Sequence, residues 1–220
     1  MSADTVFVFA TKAEAQPLLD SFDAMARRDS WLPVYELGDL QVLICGSGLA
    51  AAGAAIDYLA AVRKPLRVVS CGVASRLHDG LRVGDVAQIG RASFTNAQRT
   101  TTVPVSDLAQ GKFGSGQGDC SLVSRVAPLT DGTERSCLGK SADLVDREGA
   151  AIVSACLQHG IECGMFKAVA DYPDGKIASL GWKIELNTRL AAFLLMHMPR
   201  LLVGGEYGDD RRVRVGSVFV

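Results

Sequence analysis

The stretch Ala142–Gly175 reads ADLVDREGAAIVSACLQHGIECGMFKAVADYPDG, and the fold follows from it. Its first five residues are apolar enough to end a strand. Asp146 and Glu148 then stand where a helix begins, favoured there by the positive end of the helix dipole. From Gly149 to Gln158 the pattern is helical, with Ala151, Ile152, Ala155 and Cys156 on one apolar stripe, and Gly160 suits a left-handed C-terminal cap. Ile161–Ala170 is a short, mostly apolar run bounded by Gly160 and by the turn Tyr-Pro-Asp-Gly at 172–175, which predicts a buried strand. Strand, helix and strand predict a parallel crossover whose two strands end at one sheet edge. Glu148 and Asp171 are then expected to converge on one cleft. Paired acids suit acid–base chemistry, although helix starts and strand-ending loops also collect acids for structural reasons.

Working outward, Thr5–Ala10 (TVFVFA) predicts a buried first strand. Thr11–Asp23 predicts a helix with Leu18, Leu19 and Phe22 on its apolar side, and Thr11 with Glu14 has capping-box spacing. Val34–Leu37 and Leu40–Cys45 read as strands joined by a turn at Gly38 and Asp39, and Pro65–Val73 as another buried strand. Between them, GSGLAAAGAAIDYLA resembles a glycine-rich turn into a helix. A dinucleotide-binding turn needs glycine at position 51, which is Ala51, so that reading is set aside. Thr95–Gly118 is polar and predicts a long loop, Ile184–Met196 a closing helix, and the alternating end Arg211–Val220 an added strand.

At 220 residues the chain fits a single α/β domain spanning 1–220. Hydrophobic residues are 48%, charged residues 21%, and the net charge is -1, which gives no general attraction to nucleic acid or an anionic membrane. A small molecule is the expected partner. No signal peptide or membrane span is expected, because Val6–Ala10 is too short and Leu190–Val203 is interrupted by His197, Pro199 and Arg200. The six cysteines form no C-x-x-C pair and have no histidine at metal spacing, which predicts reduced thiols in a cytoplasmic protein and no metal.

VDREGAAI followed by KAVADYPDG resembles the nucleoside phosphorylase and nucleosidase superfamily, nearest to the 5′-methylthioadenosine/S-adenosylhomocysteine nucleosidases. The likeness extends over residues 5–200. ATKAEAQPLL resembles the A-M-x-A-E-A-x-P-L segment of plant-type members, and Gly46, Ser47 and Gly48 their S-G-I-G turn. VVSCGVASRLHDGLRVGDVAQIG is similar to I-N-x-G-S-A-G-G-L-x-x-x-L-x-V-G-D-V-V. The resemblance implies a central mixed sheet flanked by helices, a homo-oligomer taken as a dimer, no cofactor, and cleavage of a purine nucleoside's N-glycosidic bond. Glu14 becomes the water-activating base, Asp171 the general acid and Glu148 the ribose ligand. Gly48 and Gly72 bring backbone close to the substrate, with Ala74 beside them, and Val126 stands where an aromatic often stacks on the base.

The departures matter as much. Ser75 and Arg76 replace two glycines, which is expected to reshape the base pocket. Arg147 replaces a methionine packed against the ribose. It either turns outward or pairs with Asp146 or Glu148, or it lines the sugar end of the cleft and offers its donors to a polar or acidic 5′ group. A phosphorylase is the alternative enzyme, but its arginine and its G-D-P-x-R loop are replaced here by Ser70 and by ATKAE, which favours water over phosphate. A non-catalytic nucleoside-binding protein is the third possibility, supported by Ser75, Arg76 and Arg147.

Overall fold

The computed structural model describes residues 4–38, 40–95, 100–106, 120–172 and 180–202. Asp39, residues 96–99 and 107–119, the 173–175 part of the turn and the Arg211–Val220 run lie outside them. The chain runs β1 (Thr5–Phe9), α1 (Lys12–Asp20), β2 (Met25–Ala26), β3 (Val34–Leu37), β4 (Leu40–Ile44), α2 (Leu49–Val62) and β5 (Arg67–Arg76). It continues as β6 (Val86–Thr95), β7 (Thr100–Pro104), β8 (Cys120–Ser124), α3 (Gly132–Leu138), β9 (Leu144–Asp146), α4 (Gly149–Gln158), β10 (Glu162–Ala170) and α5 (Leu180–Leu201). This is the α/β mixed-sheet architecture expected. Part of the polar segment taken for a loop is instead a strand, because Thr100–Pro104 pairs antiparallel with Arg91–Thr95 of β6.

Strand β1 is buried on both sides, as a run without polar alternation requires. Val6 and Val8 face one core with Leu43, Val68, Ile56 and Ile152, where α2 packs on α4. Phe7 and Phe9 face the other with Val42, Leu18, Phe166 and Leu190, where α1 packs on α5. Burying a side chain of this size contributes roughly 1.5–3 kcal/mol. Helix α1 contains Pro17, which cannot bond the carbonyl of Ala13. Asn187 of α5 donates to that carbonyl at 3.2 Å, so the proline fixes where the two helices meet.

The sheet order is β10-β6-β8-β9-β5-β1-β4-β3-β2, and β10 also pairs with β5. Strands β5, β10, β6, β8 and β9 therefore close a ring, while β1, β4, β3 and β2 extend from it. Strand β9 runs antiparallel to β5, whereas β10 runs parallel to it. The expected parallel crossover is thus wrong: β9 and β10 flank β5 with opposite directions, although the helix between them has the predicted bounds.

This reversal creates the site. Along one edge of β5, β10 pairs from Arg67 to Ser75. Along the other, β1 pairs with Arg67–Ser70 and β9 with Ser75–Arg76, so no described strand pairs with Cys71–Ala74 there. β1 runs up to this gap and β9 runs down to it. The segments following both strands consequently meet at Gly72.

Candidate active site

Helix α1 begins just past β1, and its first turn carries Glu14. The capping box is formed: the Glu14 N–H donates to Thr11 Oγ1 at 3.3 Å, and Glu14 Oε2 accepts from the Thr11 N–H at 3.0 Å and hydroxyl at 3.1 Å. Capping occupies one carboxylate oxygen. The other, Oε1, faces Gly72, where an added Cβ would lie 3.3 Å from it and 3.6 Å from Lys167 Nζ. Gly72 also has φ +149°, so a side chain there meets both backbone strain and the carboxylate.

From the other side of the gap comes the segment after β9. Asp146, rather than Glu148, holds the start of α4: its carboxylate accepts from the Gly149 N–H at 3.0 Å and from the Glu148 N–H at 3.3 Å. It also accepts from Ser124 Oγ, which in turn accepts from the Ala150 N–H at 2.8 Å. A Cβ on Gly149 would come within 2.8 Å of Asp146 Oδ2 and 2.9 Å of Met165, so this turn needs glycine. With Asp146 serving as the cap, Glu148 is free to turn inward. Its Oε1 accepts from the Gly48 N–H at 2.6 Å, across from the turn that opens α2. Burial pushes the Glu148 carboxyl above its usual range. The Gly48 N–H and Lys167 oppose that rise, and Asp146 and Glu14 add to it.

Lys167 is the site residue that sequence reasoning missed. It stands in the middle of buried β10, only 3% exposed, and its Nζ lies 2.9 Å from Asp146 Oδ2. Burial alone would lower its pKa. The charge and hydrogen bond of Asp146, with the charges of Glu14 and Glu148, turn the net shift upward. A lysine inside an apolar strand run is a signal in itself, because a buried cation requires a paired acid.

The remaining expected residues divide. Arg147 lines a cleft of about 290 Å³ together with Glu148, Asp146, Val73, Ser75 and residues 127–130. It makes no ion pair with Asp146 or Glu148, and its Nη2 donates to the Val126 carbonyl at 3.4 Å. Val126 itself is exposed just beyond β8 and is not among the residues lining the cleft; its carbonyl accepts from Arg147. Ala74 is a correction: strand alternation turns Val73 and Ser75 to the cleft and Ala74 into the core, 2% exposed.

Asp171 stands apart from Glu14 and Glu148. It follows β10 at the level where β5 ends, and four strand positions separate Gly72 from Arg76, roughly 13 Å at ~3.3 Å per residue. Its Oδ1 accepts from Arg76 Nη2 at 3.1 Å and from the Tyr172 N–H at 2.8 Å, and its side chain is 64% exposed. Arg76 also pairs with Asp79 at 3.3 Å and donates to the Leu81 carbonyl at 3.2 Å. The Tyr172 ring lies between the guanidinium groups of Arg76 and Arg135, at 4.5 and 3.9 Å. Arg76 was expected to narrow or reshape the base pocket. Instead it ties down the expected general acid, and it is not among the residues lining the cleft.

No family model and no curated protein sequence matches the chain. Solved structures do. A mutant 5′-methylthioadenosine nucleosidase of Helicobacter pylori, crystallised with 5′-methylthioadenosine, superposes with a TM-score of 0.78 at 15% identity over 91% of this chain and 100% of that one. Futalosine hydrolase from the same organism gives 0.77 at 15% identity, covering 90% and 97%. The S-adenosylhomocysteine nucleosidase of Streptococcus pyogenes gives 0.75 at 19% identity, covering 92% and 98%. No helix among the described residues is long and apolar enough to cross a membrane. The ring of five strands and the gap in β5 thus belong to a chain that shares its fold with these solved nucleosidase and futalosine hydrolase structures.

Proposed function

We propose that this chain hydrolyses the N-glycosidic bond of a purine nucleoside, releasing free base and sugar. The observation that carries the reading is the approach of Glu14, which faces Gly72, and of Glu148, which lines the cleft, from beyond two strands that run in opposite directions, close enough for each charge to act on the other. Similar structures that bind 5′-methylthioadenosine or its analogues support it. The whole chain, residues 1–220, is read as this one domain, acting in the cytoplasm as a homodimer.

In the proposed reaction the C1′–N bond breaks with its electron pair going to the base, while positive charge develops on the sugar. Asp171, protonated, transfers its proton to a base nitrogen, and the Glu14 carboxylate takes a proton from the water that adds to C1′. Each step conserves charge without a cofactor. Glu148 binds ribose hydroxyls, and its carboxylate stabilises the cationic sugar. Lys167 neutralises Asp146, which keeps the fold intact around a cluster of three acids. Asp171 has to leave Arg76 to carry a proton, and this favours a nucleoside-binding protein as the second reading.

Incubation with adenosine, inosine and 5′-methylthioadenosine, with and without phosphate, tests the proposal. Free base and free sugar at a rate independent of phosphate are expected. Sugar 1-phosphate at a phosphate-dependent rate replaces hydrolysis by phosphorolysis, and tight binding without turnover leaves the binding protein.

A further inference from the structure

Among the cations at this site, Arg147 is the odd one out. Lys167 is paired with Asp146, Arg125 with Glu134, and Arg76 with Asp171 and Asp79. Arg147 lines the cleft, yet no carboxylate among the described residues lies within ion-pair distance of it. Its one protein acceptor there is the Val126 carbonyl at 3.4 Å, the long end of the hydrogen-bond range. A guanidinium has five N–H donors in a planar fork suited to carboxylate and phosphate. Its Nη2 also lies 3.7 Å from the position of a Cβ on Gly48, whose N–H bonds Glu148. The side chain therefore reaches from the Gly48 turn to the segment after β8, directly beside the carboxylate assigned to the sugar.

We infer that Arg147 is a specificity-determining residue that binds an anionic group, a carboxylate or phosphate, carried on the sugar of the nucleoside. This rests on the reading of the cleft as a nucleoside site. A neutral alkyl substituent gives the fork nothing to accept its donors, whereas an anion replaces the long Val126 contact by charge-assisted bonds. The neighbouring charges do not supply that anion. Asp146 is engaged by Lys167, Ser124 and the start of α4, and Glu148 by Gly48. Ser75 and Thr130, which also line the cleft, add neutral hydroxyls that can donate to an anion without repelling it.

The test uses the full chain and three probes: adenosine 5′-carboxylate, 5′-methylthioadenosine and inorganic phosphate. Calorimetry measures binding and base release measures cleavage. Adenosine 5′-carboxylate is expected to bind about 10–100-fold more tightly than 5′-methylthioadenosine, the range of charged hydrogen bonds. Arg147→Met is expected to abolish that preference and to improve cleavage of 5′-methylthioadenosine. Arg147→Lys, which keeps the charge without the fork, should fall between. Equal affinity for the two nucleosides, or a preference that survives Arg147→Met, overturns the inference even if both are cleaved, and the proposed hydrolysis then stands alone. Arg147-dependent binding of the carboxylate without cleavage of any nucleoside upholds the anion site and removes the hydrolase reading. Arg147-dependent binding of phosphate, with phosphate consumed in cleavage, makes the anion a co-substrate and overturns both.

Discussion

The middle of β5 and its end hold acids in opposite circumstances. At Gly72, Glu14 and Glu148 sit half-buried around a lysine that is itself sealed from water and paired with Asp146. At Arg76, Asp171 is exposed and tied to a guanidinium by an ion pair of the kind typically worth about 0–1 kcal/mol. The contrast separates two ways of preparing a site. The Gly72 position is fixed during folding, because the bonds that cap α1 hold Glu14 and the Gly48 N–H at the start of α2 holds Glu148. The Arg76 end is held by contacts that a ligand can replace at little cost, so its geometry is completed when something binds.

Catalytic substitutions break the comparison most severely. Glu14→Gln and Asp171→Asn each remove an ionisable carboxyl while keeping size, and each is expected to lower kcat by about 10²–10⁴-fold with the fold retained. Steady-state kinetics beside circular dichroism checks this. Loss of activity in the first alone makes the Arg76 end a surface cluster with no part in the chemistry.

Stability sharpens it next. Lys167→Met leaves Asp146 buried without its cation and is expected to destabilise the fold by about 3–5 kcal/mol in urea unfolding. Arg76→Gly, which breaks a more exposed pair, is expected to cost no more than about 1 kcal/mol. Similar values for the two variants erase the distinction between the two positions.

The smallest expected effect is one of pH. Glu148 has its folded pKa raised above the ordinary 4.5, so over the window just above 4.5 the folded state retains a proton that the unfolded chain has released. Stability linked to this group is therefore highest at low pH and falls as pH rises through the folded pKa. Measured against Glu148→Gln by unfolding at a series of pH values, the wild type should lose stability relative to the variant as pH climbs above 4.5. A flat difference refutes it.

The sequence makes some of this visible and hides the rest for identifiable reasons. Helix α4 has the bounds its apolar stripe predicts, and the Thr11–Glu14 spacing is a capping box in the structure. Periodicity also finds β1, β4, β5 and β10, because runs buried on both faces stay apolar throughout. Direction is another matter. Three residues of β9 carry no sign of which way they run, and that is settled by pairing with β5 and β8, far away in the chain. Helix α3 shows no apolar stripe in the sequence because it buries none of its residues, and the threonines of β7 read as loop. The site divides the same way. Glu14, Glu148, Gly48 and Gly72 were legible from short motifs, whereas Lys167 meets Asp146 only across β5, and Arg76 meets Asp171 only where two parallel strands end together.

The unpaired edge of β5 has a consequence for how such a protein changes over generations. Between Cys71 and Ala74 no described strand faces that edge, so the peptide groups there are offered to whatever enters the gap. Peptide N–H and C=O groups are common to nearly every residue type, and a substitution cannot delete a carbonyl. Recognition by such groups tolerates drift that rewrites the surrounding side chains, and the fold itself persists in a solved chain only 15% identical. Side chains around the edge, such as Ser75, can then change and retune what the gap accepts without rebuilding it.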